Sequence, residues 1–199
     1  MSIAAVGLVG VLAACGSSSP PSSATRTTTP SSKAAPTTSA PPFVGQVPAS
    51  CDPVATEGEV NTILGHPLTG TSNGIKGIPE TAIGRTARLD CYYGIPPNQA
   101  AVAGVVSIGI GGYDNPADAA HRVLETINQA RDTGYQSSNV LVNGQNAVLL
   151  AGQQNQEVVL SAGTITVLVT AANSVVQAGK AGPPLIALAG KALTASQHA

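Results

Sequence analysis

Val140-Leu141-Val142-Asn143-Gly144-Gln145-Asn146-Ala147-Val148-Leu149-Leu150 decides the fold. Two apolar runs flank Asn143-Gly144, the dipeptide that most readily takes the two positive φ angles of a type I′ hairpin turn. So short a turn commits the flanking runs to antiparallel pairing. The same grammar continues downstream. Gln153-Gln154-Asn155 turns the chain into a strand over 157–161, and Ala162-Gly163 returns it over 164–170, where Ile165, Val167 and Val169 alternate with threonines. The result is a four-stranded meander.

Working outward, residues 115–134 carry the signals of a helix. Asn115 caps it, Pro116 sits in its first turn and Gly134 ends it. Ala120, Val123, Leu124 and Ile127 are expected on its buried side, with Arg122, Glu125 and Arg131 in water. Before it, Val106, Ile108 and Ile110 alternate along a strand over 102–110, and 86–94 reads as another. Thr56-Glu57-Gly58-Glu59 has the form of a capping box, opening a short helix with Val60, Ile63 and Leu64 on one face and Gly65 as its stop. A glycine-rich loop over 65–81 separates that helix from the first strand. Pro183-Pro184 starts a last helix bearing Leu185, Leu188, Ala189, Ala192 and Leu193. The order α-β-β-α-β-β-β-β-α predicts a single α+β domain: a mainly antiparallel sheet of five to six strands, with two to three helices on one face.

The N-terminal part has a different character. Residues 3–14 form an apolar run too short to span a bilayer core of ~30 Å, and Leu12-Ala13-Ala14-Cys15 closes it with small residues and a thiol. This is the form of a lipobox: a signal peptide over 1–14, cut before a Cys15 that carries a thioether-linked diacylglycerol and so anchors the chain to the outer face of a cell membrane. Two or three acyl chains hold firmly where one would not. An ordinary signal peptide or a membrane anchor are the other readings. No Lys or Arg precedes the apolar run, which a start codon placed too far downstream explains. Residues 15–49 follow as a Ser/Thr/Pro/Ala-rich tether, too poor in apolar residues to fold, with a mean span of about 30 Å. Sugars on its Ser/Thr-Pro tracts are as compatible with the sequence as a bare spacer. The folded domain is expected over 50–199.

The domain holds only Cys51 and Cys91, an even pair that in an exported protein reads as a disulfide, the alternative being two unrelated buried thiols. With no Trp and a single Phe, the core is built from Val, Ile, Leu and Ala. A net charge of −1 gives no electrostatic footprint for nucleic acid. No nucleophile elbow, metal-ligand spacing or completed phosphate loop is present, so neither enzyme, metal nor cofactor is expected. His121, near Asp118 and Glu125, reads as a solvent-facing side chain, and Gly109-Ile110-Gly111-Gly112 as a flexible strand exit. Arg85, Arg88, Asp90, Tyr92 and Tyr93 form the chain's polar-aromatic cluster. They are either an edge strand's solvated face or, with the loop over 71–81, a binding face for a sugar, a peptide or an acidic lipid head.

Taken together, the lipobox, the tether, the Cys51-Asp52-Pro53 opening, the helix ending Ile63-Leu64-Gly65 and the cysteine before Tyr92-Tyr93 resemble the small mycobacterial and other actinobacterial cell-envelope lipoproteins. Tyr92 stands where those proteins commonly have tryptophan. The resemblance covers residues 1 to about 170 and carries over Cys15, Cys51 and Cys91. It implies a surface-exposed, membrane-anchored envelope protein and leaves its ligand open. The lack of a catalytic constellation together with the two-tyrosine strand makes the expectation a binding or accessory role, with a cell-wall, glycolipid or envelope-protein partner. A carrier with an apolar cavity for lipid or glycolipid is the alternative, and an envelope hydrolase the third.

Overall fold

The computed structural model describes residues 43–177 and 179–199, so Cys15 and most of the tether lie outside the described residues. Seven strands form one antiparallel sheet: β1 (Thr71–Gly77), β2 (Arg85–Ile95), β3 (Val106–Tyr113), β4 (Gln136–Val142), β5 (Gln145–Ala151), β6 (Asn155–Ala162) and β7 (Ile165–Ala172), in spatial order β1-β2-β3-β7-β6-β5-β4. Three α-helices accompany it: α1 (Glu57–Leu64), α2 (Pro116–Asp132) and α3 (Gly182–Gln197). The α+β class and the antiparallel sheet stand as expected. The strand count rises to seven.

The additional strand is β1, which the sequence assigns to a loop. Its residues Thr-Ser-Asn-Gly-Ile-Lys-Gly show no apolar alternation, and five of its seven positions, Thr71 to Gly74 and Lys76, are exposed. Only pairing with β2, register Ile75↔Asp90 and Lys76↔Leu89, holds it extended. Backbone hydrogen bonding to a formed neighbour is a tertiary event that leaves no periodic trace in an edge strand.

Asn143 and Gly144 take φ +48 and +78, and Val142 pairs with Gln145, giving the two-residue hairpin expected. The capping box of α1 forms: Glu59 N–H donates to Thr56 Oγ1, and Thr56 N–H donates to the Glu59 carboxylate at 2.8 Å. Asn115 caps α2 through Asp118 N–H, and all five apolar residues expected on the inner side of α3 are buried.

The helices do not share one face, contrary to expectation. α1 and α3 cover one side of the sheet, where Leu185, Leu188 and Ala192 meet Val158, Leu160, Val167 and Val169 in one core cluster. α2 covers the other side, where Ile127 and Ala130 meet Leu150 and Val159. β6 is therefore buried on both faces, and Val158, Val159 and Leu160 are consecutive yet each at most 2% exposed. That run of three is what a doubly covered strand requires. The buried side of α2 is Ala119, Ile127 and Ala130, with Val123 packed beside them; Leu124 is 53% exposed and Ala120 is also exposed. The helix is thus rotated from the expected stripe, and Arg122 is half-buried rather than in water.

Residues 43–49, assigned to the tether on composition, lie on the domain. Gln46 N–H donates to Ser196 O at 2.8 Å, Pro48 is buried, and Phe43 and Val47 pack against the core cluster. Among the described residues no helix is long and apolar enough to cross a membrane.

Candidate ligand cleft between the second helix and the open half of the sheet

Topology leaves part of one sheet face uncovered. α2 connects the interior strand β3 to the far edge strand β4, so it runs back over β7, β6 and β5. Beyond β3, the same face of β1 and β2 has no helix above it. Side chains alternate across a strand, and on this face the register aligns Tyr92 with Ser107, Asp90 with Gly109, and Arg88 with Gly111. Where the open half meets α2 there is a cleft of about 150 Å³. Its walls include Arg88, Asp90, Tyr92 and Tyr113 on one side and Arg122 and Thr126 of α2 on the other.

Glycine makes the floor. A Cβ at Gly109 would stand 2.9 Å from Asp90 Oδ1, and one at Gly111 would stand 2.8 Å from Thr166 Oγ1 and 3.1 Å from Tyr113 Cε2. With no side chain at these two positions, Asp90, Thr166 and Tyr113 close in over β3 between β2 and β7. The Gly109-Ile110-Gly111-Gly112 run is therefore the interior of β3 and not a flexible exit from it.

Arg88 and Asp90 form a two-pronged pair, with Nε–H donating to Oδ2 at 2.6 Å and Nη2–H donating to Oδ1 at 3.0 Å. The bond to Asp90 raises the Arg88 pKa above its ordinary value. Burial raises that of Tyr92, with the Asp90 charge adding to the effect. Arg85 pairs with Glu80 through Nη2, and its own side chain is 13% exposed. Its Nε is buried with no partner among the described residues. Arg122 pairs with Glu125 on its own helix at 3.2 Å. The hydroxyls of Tyr92, Tyr113, Ser107 and Thr166 likewise have no protein partner in the hydrogen-bond network of the described residues.

Of the five residues read as a binding face, the fold brings four together. Arg85, Arg88, Asp90 and Tyr92 line the cleft, while Tyr93 points to the opposite side of the sheet. Tyr93 is 2% exposed, and its hydroxyl donates to Ala55 O at 2.7 Å beside α1. Adjacent residues on a strand cannot share a face, so the pair splits between ligand cleft and core. Cys91 faces the same way as Tyr93 and is bonded to Cys51 in the expected disulfide. The edge strand β1 keeps the stretch over 71–81 outside the cleft walls. Arg122, Tyr113 and Thr166 are cleft residues that sequence reasoning did not single out. Arg122 and Thr126 stand one helical turn apart on the same face of α2, a spacing that becomes meaningful once the rotation of the helix is known.

His121 is exposed and 3.5 Å from Glu125, beside a shallow hollow lined by Asp114 and Asp118. Among the described residues no three His, Cys, Asp or Glu side chains gather as a metal site would require. A third depression, apolar and of about 810 Å³, runs along the outer side of α3 between Ile186, Ala187 and Ala195 and the Val47-Pro48 segment.

The sequence matches no protein-family profile and no curated protein. Among solved structures the chain is similar to the extracellular domain of PknH from Mycobacterium tuberculosis, with 13% identity and a TM-score of 0.44, over 78% of this chain and 100% of that one.

Proposed function

We propose that the protein is a lipid-anchored, extracytoplasmic binding protein of the cell envelope, without catalytic activity, whose ligand site is the cleft between α2 and the open half of the sheet. The observation that carries this reading is the cleft itself: Arg88, Asp90, Tyr92 and Tyr113 stand opposite Arg122 and Thr126, over a floor that includes Gly109 and Gly111. A planar ion pair beside an aromatic ring offers a ligand directional hydrogen bonds and an apolar surface together. The binding reading is favoured over hydrolysis by the state of the cleft's carboxylate. Both oxygens of Asp90 accept from Arg88, so the cleft's one carboxylate is engaged in holding that arginine. The lipobox at Leu12-Ala13-Ala14-Cys15 and the Cys51–Cys91 disulfide support the address.

A photoreactive residue tests the site in intact cells. Tyr92→p-benzoylphenylalanine is expected to give an adduct that Leu124→p-benzoylphenylalanine, on the outer side of α2, does not. Equal adducts from the two positions, or none from Tyr92, refute the site. Metabolic labelling with a clickable fatty acid tests the address: the chain should be marked and its Cys15→Ala variant should not.

A second reading, a lipid or glycolipid carrier, draws on the apolar groove outside α3. Native mass spectrometry of the protein separates the two, because a carrier retains cargo mass and a cleft binder of soluble ligand does not.

A further inference from the structure

The charge distribution in the cleft narrows its ligand, given the binding role proposed above. Three of the chain's five arginines, Arg85, Arg88 and Arg122, line this one depression, while the protein as a whole carries a net charge of −1. The single carboxylate among the lining residues is Asp90, already held by Arg88. The partners of the other two arginines stand outside the lining. Glu80 and Glu125 are 49% and 40% exposed, and each contributes one oxygen to its pair. The Arg122 pair is part-exposed on both sides and so weak, and Arg85 and Arg122 each spend one terminal nitrogen on their carboxylate, leaving the other terminal nitrogen for an incoming anion.

The opposite end of the cleft has a different chemistry. Tyr92 and Ser107 face each other across β2 and β3, four residues along β2 from Arg88, and their hydroxyls have no hydrogen-bond partner among the described residues. One end is therefore cationic and the other presents a ring and neutral hydroxyl groups. We propose that the cleft binds an acidic sugar, a pyranose bearing a carboxylate, with the acid group toward Arg85 and Arg122 and the ring toward Tyr92. The two-pronged fork of arginine suits a carboxylate, and aromatic faces suit the apolar faces of a sugar ring. The volume of about 150 Å³ admits one such unit and leaves longer chains to extend over the open half of the sheet.

Amide spectra of the ¹⁵N-labelled full chain, titrated with glucuronate, glucose and acetate, test this. Glucuronate should shift the Tyr92, Gly109, Gly111 and Arg122 amides to saturation, with glucose and acetate each weaker by about tenfold or more, the ratio expected for one lost charge-assisted contact. Arg122→Ala, at a half-exposed helix position, should weaken glucuronate about tenfold without moving the thermal midpoint, and Arg122→Lys should recover part of the loss. Glucose binding as well as glucuronate overturns the acid requirement and leaves the cleft a binding site. Acetate matching glucuronate overturns the sugar. Glucuronate leaving all four amides unmoved overturns this inference alone, since an adduct at Tyr92 in cells would still mark the cleft as occupied by another ligand.

Discussion

Replacing Tyr93 and Tyr92 in turn by Phe separates the two sides of β2. Tyr93 is 2% exposed, and its hydroxyl donates to the carbonyl of Ala55, itself 2% exposed and with no other donor in the network. Tyr93→Phe keeps the ring and its packing, so no apolar burial is lost. What is lost is one net hydrogen bond, about 1 kcal/mol, and a buried acceptor is left unmet, about 1 kcal/mol more. The expected destabilisation is about 2 kcal/mol. With an m-value of about 2 kcal/mol per molar urea, the midpoint moves down by about 1 M. The hydroxyl of Tyr92 reaches solvent in the cleft, and Tyr92→Phe should stay within about 0.5 kcal/mol of the parent. Because the chain has no Trp, urea unfolding is followed by far-ultraviolet circular dichroism. Binding should reverse the ranking, since Tyr92→Phe weakens the ligand contact and Tyr93→Phe leaves it intact. A Tyr93→Phe midpoint indistinguishable from the parent, or a larger loss in Tyr92→Phe, refutes the assignment of faces. Alkaline titration gives an independent reading: burial raises the Tyr93 pKa well beyond that of an ordinary phenol, so it should ionise last and together with unfolding.

Two further outcomes follow from the contacts around α1. The Cys51–Cys91 bond closes a separation of 40 residues, and the chain-entropy relation gives about 4 kcal/mol for such a loop. The double Cys51→Ser, Cys91→Ser variant should lose up to that amount in urea unfolding, and a loss under 1 kcal/mol would show that the packing of α1 alone holds the two segments together. Glu59 is held down to about 2 by its hydrogen bonds to Lys191 and then to Thr56. A carboxylate depressed on folding stabilises fully above its unfolded pKa of about 4.3 and loses that contribution as pH falls toward 2. The pair is nearly half-exposed, so solvent screening limits its share to about 0.5 kcal/mol. Unfolding midpoints of the parent and Lys191→Met should converge between pH 4.5 and 2, and a constant gap across that range contradicts the linkage.

Local signals in the chain determined the elements that close on themselves. Asn143-Gly144 specifies its turn because few other dipeptides tolerate two positive φ angles, and Thr56 with Glu59 specifies the start of α1 because both partners lie within one turn. The two cysteines specified their bond because no competing thiol exists in the domain. What the chain did not reveal depends on which face meets which. β1 is extended only because β2 lies beside it, and on α2 Val123 and Ile127 pack inward as expected while Ala119 and Ala130 take the inner places expected of Ala120 and Leu124, an alanine being equally at home inside or out. Tyr92 and Tyr93 look alike in sequence, and only the pleat of β2 sends one to the cleft and the other to the core. The cleft itself belongs to the tertiary structure. It arises from α2 crossing back over β7, β6 and β5, and from glycines that acquire meaning only when Asp90 and Thr166 stand on either side of them. A turn or a cap is fixed by residues a few bonds apart, whereas an open sheet face depends on where a distant helix comes to rest.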